Sequence, residues 1–193
     1  MTRTLLHWAT GLGLPAIGLT LWVWGQPIIC TCGYVQLWVG SIFSSGNSQH
    51  VADWYTLSHV VHGMLIGLAG WALARRVSFD WIYAFAIFTG VGWEIIEHTN
   101  WVLDAFRATT INQGYLGDSV LNAMADFVFM MGGFFLASAI RPLWSLLLIV
   151  VLELTATFVA RDSLTLSTLS LVWPIQALDD WQQELNPRNS ADQ

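Results

Sequence analysis

The chain has 193 residues, of which 55% are hydrophobic and only 10% are charged, against about 25% charged in ordinary soluble domains. So few charges cannot cover a soluble fold, and the composition therefore indicates an integral membrane protein. The net charge is −6 and lysine is absent, so there is no basic patch to neutralise phosphates, which argues against nucleic-acid binding.

Five apolar runs are long enough to cross about 30 Å of hydrocarbon, which takes about 20 helical residues. The predicted spans are Leu5–Gly25, Thr56–Ala74, Phe79–Glu97, Ser119–Ile140 and Leu143–Ala160. The apolar segment 163–178 is interrupted by Pro174, so we expect it to be re-entrant, interfacial or a sixth span. Residues 1–178 are thus predicted to form one all-α, polytopic transmembrane helical bundle, followed by a polar C-terminal tail at 179–193.

The orientation of the bundle is predicted from its arginines, because cytoplasmic loops of membrane proteins carry an excess of positive charge. An N-terminus in the cytoplasm places Arg3, the pair Arg75 and Arg76, and Arg141 on the cytoplasmic side, while residues 26–55 contain no basic residue. Arg107, Arg161 and Arg188 then lie on the opposite side. The count favours a cytoplasmic N-terminus and places residues 26–55 outside.

Polar residues cluster where the predicted spans begin or end on this outer side. His59 and His62 open the second span, and Glu94, Glu97 and His98 close the third. Asp118, Asn122 and Asp126 form an i, i+4, i+8 stripe at the start of the fourth, and Arg161 and Asp162 follow the fifth. Spans two and four leave this side and spans three and five arrive there, so all the clusters are predicted to share one leaflet.

Depth distinguishes two acids from ordinary helix caps. Asp126 lies eight residues beyond Asp118, and Glu153 nine before Asp162, which places each roughly 12 Å into the hydrocarbon at the helical rise. Capping does not explain an acid at that depth, because a charge there needs a partner, a proton or a wet cavity. We expect Asp126 and Glu153 to belong to a functional cavity, the alternative being a structural pair or a neutral hydrogen-bonded acid.

Imidazole and carboxylate groups of this kind can bind a divalent metal ion such as zinc, iron or manganese. The predicted ligands are His50, Asp53, His59, His62 and Glu94. The alternative is a hydrogen-bonded network that fixes spans two and three together. Cys30 and Cys32 could form a disulfide, bind a soft metal such as copper, or remain free thiols.

Without a metal, the same groups could act as general acid and base on a lipid-linked or periplasmic small molecule, with an arginine holding a phosphate. The candidate catalytic residues are Glu94, Glu97, Asp118, Asn122, Asp126, Arg161 and Asp162. The chain has no nucleophile elbow, P-loop or Rossmann fingerprint, so the sequence does not define a reaction. The competing hypothesis is a non-catalytic accessory subunit of a larger membrane complex.

Several motifs carry a resemblance to a known family over nearly the whole chain. They are Cys30–Tyr34, Asn47–His50, Asp53–Gly63, Trp93–Glu97, Tyr115–Asn122 and Arg161–Leu166. In these motifs the chain resembles the uncharacterised bacterial membrane family DUF2585, also designated UPF0314. The resemblance implies a location in the bacterial inner membrane. A fainter likeness, at the level of topology, is to VanZ-like proteins, with a histidine opening one span, a glutamate near the end of the next, then Arg107, Asp118 and Asn122.

Overall fold

The protein is described by a computed structural model that covers residues 2–111 and 114–186. Within these ranges all the regular secondary structure is helical. The helices are α1 (Arg3–Val23), α2 (Trp54–Leu73), α3 (Phe79–Glu97), α4 (Asn100–Thr109), α5 (Val120–Ala139), α6 (Pro142–Val159), α7 (Leu164–Val172) and α8 (Gln176–Gln183). The part of the predicted tail from residue 187 onward lies outside the described residues.

Five of these helices, α1, α2, α3, α5 and α6, are 18 to 21 residues long and apolar enough to cross a membrane. Each overlaps one predicted span, so the predicted all-α transmembrane bundle is confirmed. Large apolar side chains such as Trp8, Phe88 and Phe158 remain exposed on the outside of the bundle, as expected for surfaces that face lipid. The interior is filled by residues such as Tyr83 and Phe127, which are fully buried.

The C-terminal segment is too short to form a sixth span. Helix α7 has nine residues, or about 13 Å at the α-helical rise, and it ends before Pro174, because the residue preceding a proline disfavours helical geometry. Helix α8 follows and includes residues 179–183 of the predicted tail. Its Gln182 is buried and donates a hydrogen bond to the Arg161 carbonyl at 2.7 Å.

Helices α2 and α5 cross in close backbone contact, and glycine makes the approach possible. A methyl group built at Gly63 would overlap the carbonyl oxygen of Met130, and one built at Gly133 would overlap the carbonyl oxygen of Val60. This reciprocal contact is typical of membrane helices that pack through small residues. Because His59 and Asp126 lie one to two turns from the crossing, it also fixes the distance between them.

We call the polar end the end of the bundle where α1, α3 and α6 finish and α2 and α5 begin, together with α4, α7 and α8. The segment 26–53 lies across it and contains a disulfide between Cys30 and Cys32. Its carbonyl groups at Pro27, Ile28 and Ser48 accept hydrogen bonds of 2.9–3.0 Å from the backbone amides of residues 119–121. The amides that open α5 are thus bonded to this segment.

Candidate functional site

A cavity of about 250 Å³ lies at the polar end and is lined by residues of α2, α3, α4, α5 and α7. It is slightly smaller than typical ligand pockets of about 300–1,000 Å³. Its ionisable lining residues include His59, His62, Glu97, Asp118 and Asp126. Aromatic walls from Tyr55, Trp93 and Phe106 complete it, so the cavity combines an acidic floor with apolar sides.

His59 lies between two buried carboxyl groups. Its Nδ1 is 3.3 Å from Glu94 Oε1, and its Nε2 is 3.9 Å from Asp126 Oδ2. Asp126 is 2% exposed and Glu94 is 1% exposed, so neither carboxyl is compensated by bulk water. The arrangement joins α2, α3 and α5 through one imidazole ring.

Asp126 is held from its other side by Thr56. The Thr56 hydroxyl donates to Asp126 Oδ1 at 2.8 Å and accepts a hydrogen bond from the Asp53 amide at 3.1 Å. Oδ2 of Asp126 is therefore the oxygen that faces His59. The expectation that Asp126 lines a cavity agrees with this geometry.

A second group of acids adjoins the first. Oxygen atoms of Glu94, Glu97 and Asp118 lie within 4.8 Å of one another. The Tyr115 hydroxyl is 2.6 Å from Glu97 Oε1 and 2.7 Å from Asp118 Oδ1. A phenol has a single proton to donate, so two carboxylates at this distance require a further proton or another positive charge.

The electrostatics of this region follow from burial. Burial raises the pKa of Asp118 well above its usual range, and the charges of Glu97 and Asp126 raise it further. Burial likewise raises the pKa of Tyr115 well above its usual range, with the neighbouring Asp118 and Glu97 charges contributing. This environment therefore favours the protonated forms of Asp118 and Tyr115 unless a positive charge is bound beside them.

His98 has a structural role here. Its Nδ1 lies 2.7 Å from the Glu94 carbonyl oxygen, and its Nε2 lies 2.8 Å from the Asp118 amide nitrogen. Because a carbonyl accepts and an amide donates, Nδ1 carries the proton and Nε2 accepts. Both ring nitrogens are thus engaged, and the neutral ring ties the end of α3 to the segment before α5.

The structure does not bring the five predicted metal ligands together. Asp53 caps α2, accepting from the Ser48 amide at 2.6 Å and the Tyr55 amide at 2.8 Å. Burial raises the pKa of Asp53, and these hydrogen bonds oppose the increase. His62 lines the cavity one turn beyond His59, whereas His59 and Glu94 are in direct contact.

His50 lies apart from this cavity, beside the disulfide. Its Nε2 is 3.9 Å from Cys32 Sγ, its Nδ1 accepts a hydrogen bond from the Gln36 amide at 3.2 Å, and its ring stacks on Tyr34. Cys30, Cys32 and His50 have the spacing of a metal-binding group, but the disulfide leaves no thiolate to bind an ion. Sequence proximity to Asp53 is therefore misleading for His50.

Four predicted catalytic residues do not line the cavity themselves: Glu94, which contacts the lining residue His59, and Arg161, Asn122 and Asp162. Arg161 donates to the Trp181 carbonyl and to Glu184, away from it. Asn122 donates from Nδ2 to the His50 carbonyl at 2.9 Å. Asp162 accepts from the Tyr55 and Ser167 hydroxyls, which do line the cavity, so it positions part of the wall.

The expectation that Glu153 shares a cavity with Asp126 is wrong. Its two carboxylate oxygens accept from the amides of Leu164 and Thr165 at 3.2 and 3.0 Å, so it caps α7 and does not line the cavity with Asp126. An acid deep in one span can cap a different helix when the chain folds back beside it. Thr56 and Tyr115 join the cluster without having been proposed as site residues, although both belong to the motifs quoted above.

Family membership follows from sequence comparison. A family model described as a protein of unknown function, DUF2585, matches residues 21–184. The chain belongs to the DUF2585 family. A UPF0314 protein of Paracoccus denitrificans is 44% identical over 185 residues, covering 95% of both chains, and one of Novosphingobium aromaticivorans is 42% identical over 90% of both. A UPF0314 protein of Rhizobium etli is 41% identical over 85% of this chain and 84% of the relative.

No solved structure matches this DUF2585 chain. The matched segment contains every cavity residue named above, from Tyr55 to Ser167. The family match therefore includes the whole candidate site, and the assignment of a function to DUF2585 rests on the geometry of that site.

Proposed function

We propose that this DUF2585 protein is a bacterial inner-membrane enzyme whose cavity faces the periplasm and carries out proton transfer on a lipid-linked or periplasmic small molecule. The observation that carries the proposal is His59, buried at the cavity wall between Glu94 and Asp126. A histidine oriented by a carboxylate is a common general acid or base. In this arrangement Glu94 orients the ring through Nδ1, and Nε2 is left on the side of Asp126.

The charges at the two ends of the bundle support a periplasmic cavity. Arg3, Arg75, Arg76 and Arg141 all lie at the end opposite the polar end, where the positive-inside rule places the cytoplasm. The Cys30–Cys32 disulfide lies at the polar end, and disulfides persist in oxidising compartments such as the periplasm. Two independent features thus favour the same orientation.

The lining of the cavity supports an amphipathic substrate. Among the described lining residues, acids and histidines face aromatic side chains, and there is no arginine. Arg107, the nearest candidate in sequence, donates to Asp104 and to the Tyr115 carbonyl. A polar head group carrying an exchangeable proton fits the floor, and an apolar chain fits against the aromatic walls or the surrounding lipid.

The experiment is complementation in Paracoccus denitrificans. The UPF0314 gene is deleted, this chain is expressed in its place, and lipid and periplasmic extracts are compared by mass spectrometry. We expect a small molecule to accumulate in the deletion strain and to return to the parental level with the wild-type chain. His59→Gln and Asp126→Asn should leave it accumulated.

The matched control is Asp80→Asn, which removes an acid at the opposite end of the bundle, where Asp80 pairs with Arg3 at 3.6 Å. It should restore the parental level. Extracts unaffected by the deletion, or full restoration by His59→Gln and Asp126→Asn at equal membrane abundance, would contradict the enzyme proposal. If those variants are active and a stoichiometric partner protein co-purifies in mild detergent, the accessory-subunit hypothesis replaces it.

A further inference from the structure

We infer that Glu94, Glu97 and Asp118 bind a divalent cation that prefers oxygen ligands, with Mn²⁺ as the representative ion. The inference deepens the proposed function by naming a cofactor, and it is tested by binding alone. Ligand oxygens of the three residues lie within 4.8 Å of one another. Oxygens bound to one six-coordinate ion at about 2.0–2.6 Å lie about 3–5 Å apart, so a separation of at most 4.8 Å is compatible with ligation of one ion by all three.

The second observation is an oxygen with no partner. Glu94 is 1% exposed, its Oε1 faces His59, and its Oε2 has no hydrogen-bond partner among the described residues. Buried polar atoms in proteins are almost always satisfied, so an oxygen without a hydrogen-bond partner points to a bound ion or water. Because this carboxylate is one of the three convergent acids, a cation at their centre satisfies it.

The charge balance leads to the same conclusion. Glu97 and Asp118 share the single proton of the Tyr115 hydroxyl, and Asp126 adds a fourth acid to the same region. No arginine lines the cavity in the described ranges, and Arg161 is bonded to Glu184. A divalent ion therefore supplies the positive charge that the side chains do not.

The choice of ion follows from the donor atoms. Three carboxylates with no free thiolate favour hard cations such as Mg²⁺, Ca²⁺ and Mn²⁺. His98 is not a ligand, because both of its ring nitrogens are already bonded. The cysteine and histidine group near the disulfide is separate and has no thiolate, so soft-metal chemistry is not expected at the polar end.

The test uses the full-length protein, purified in mild detergent without reductant, treated with chelator and titrated with Mn²⁺. Bound ion is measured by the loss of the electron paramagnetic resonance signal of free Mn²⁺. We expect one Mn²⁺ per chain and a thermal midpoint that rises with Mn²⁺ concentration. Glu97→Gln and Asp118→Asn should each weaken binding at least tenfold.

His50→Gln and Asp80→Asn are the controls, since one alters the group beside the disulfide and the other an acid at the opposite end. Both should bind Mn²⁺ as the wild type does. Absence of saturable Mn²⁺ binding by the wild type, or tight binding by both Glu97→Gln and Asp118→Asn, would overturn the site. Neither result affects the complementation experiment with the His59 and Asp126 variants, which tests the proposed function separately.

Discussion

Substitution by alanine is predicted to change the stability of the protein in opposite directions at two neighbouring glycines of α5. A methyl group at Gly133 would overlap the Val60 carbonyl oxygen of α2, whereas one at Gly132 meets nothing within 4 Å. Backbone atoms cannot rotate away, so Gly133→Ala must push the two helices apart. We expect this to lower the free energy of unfolding by about 3 kcal/mol, at the upper end of the range for an overpacked core.

Gly132→Ala, in contrast, replaces a flexible helical residue at an open position, and it should raise the free energy of unfolding by about 0.5–1 kcal/mol. At about 2–4 °C per kcal/mol for a chain of this size, the Gly133→Ala midpoint should fall by about 6–12 °C while that of Gly132→Ala rises slightly. Thermal unfolding in detergent, followed by intrinsic tryptophan fluorescence, measures both. Equal shifts for the two variants would refute the close crossing of α2 and α5.

Three further predictions concern pH, capping and topology. Burial raises the pKa of Asp162 from 3.8 to about 6, so the folded protein takes up a proton between these values that the unfolded chain does not. The free energy of unfolding of the wild type should therefore rise by about 1 kcal/mol relative to that of Asp162→Asn as the pH falls from about 7.5 to about 5. Thermal midpoints that change in parallel for the two proteins would argue against this. Glu153→Gln removes one of the two oxygens that cap α7 and should destabilise that helix by about 1 kcal/mol, seen as faster amide exchange in α7 but not in α2. In spheroplasts, a membrane-impermeant maleimide should label Ser45→Cys at the polar end but not Arg76→Cys at the other, and the reverse pattern would invert the proposed orientation.

The spans could be predicted from the sequence because length and hydropathy suffice for a helix in lipid. The placement of His59, Glu94 and Asp126 at one end of the bundle could also be predicted, since His59 and Glu94 lie near predicted span ends and Asp126 lies two turns deeper from the same side. Antiparallel spans bring alternate ends together. Short helices were harder to predict. Helix α4 is not an apolar run, and the ending of α7 after nine residues depends on the local conformation around Trp173 and Pro174.

The errors concern contacts between distant parts of the chain. Glu153 caps α7 because the chain turns back at Arg161, whose φ of 54° is left-handed, and no spacing rule reveals that turn. His50 is only three residues from Asp53, but its ring stacks on Tyr34. The role of Tyr115 depends on contact with Glu97, a residue of another element, which periodicity within one helix cannot show.

The bonds between the segment 26–53 and the start of α5 determine how a ligand can reach the cavity. Three amides, those of residues 119–121, depend on carbonyls of that segment, and in a lipid environment each would cost several kcal/mol to leave unsatisfied. Residues 26–53 are therefore held in place at the polar end and are not expected to move aside as a gate. The proposed substrate is therefore expected to enter between helices that line the cavity, such as α4 with Phe106 and α7 with Ser167, which suits a molecule anchored in the bilayer.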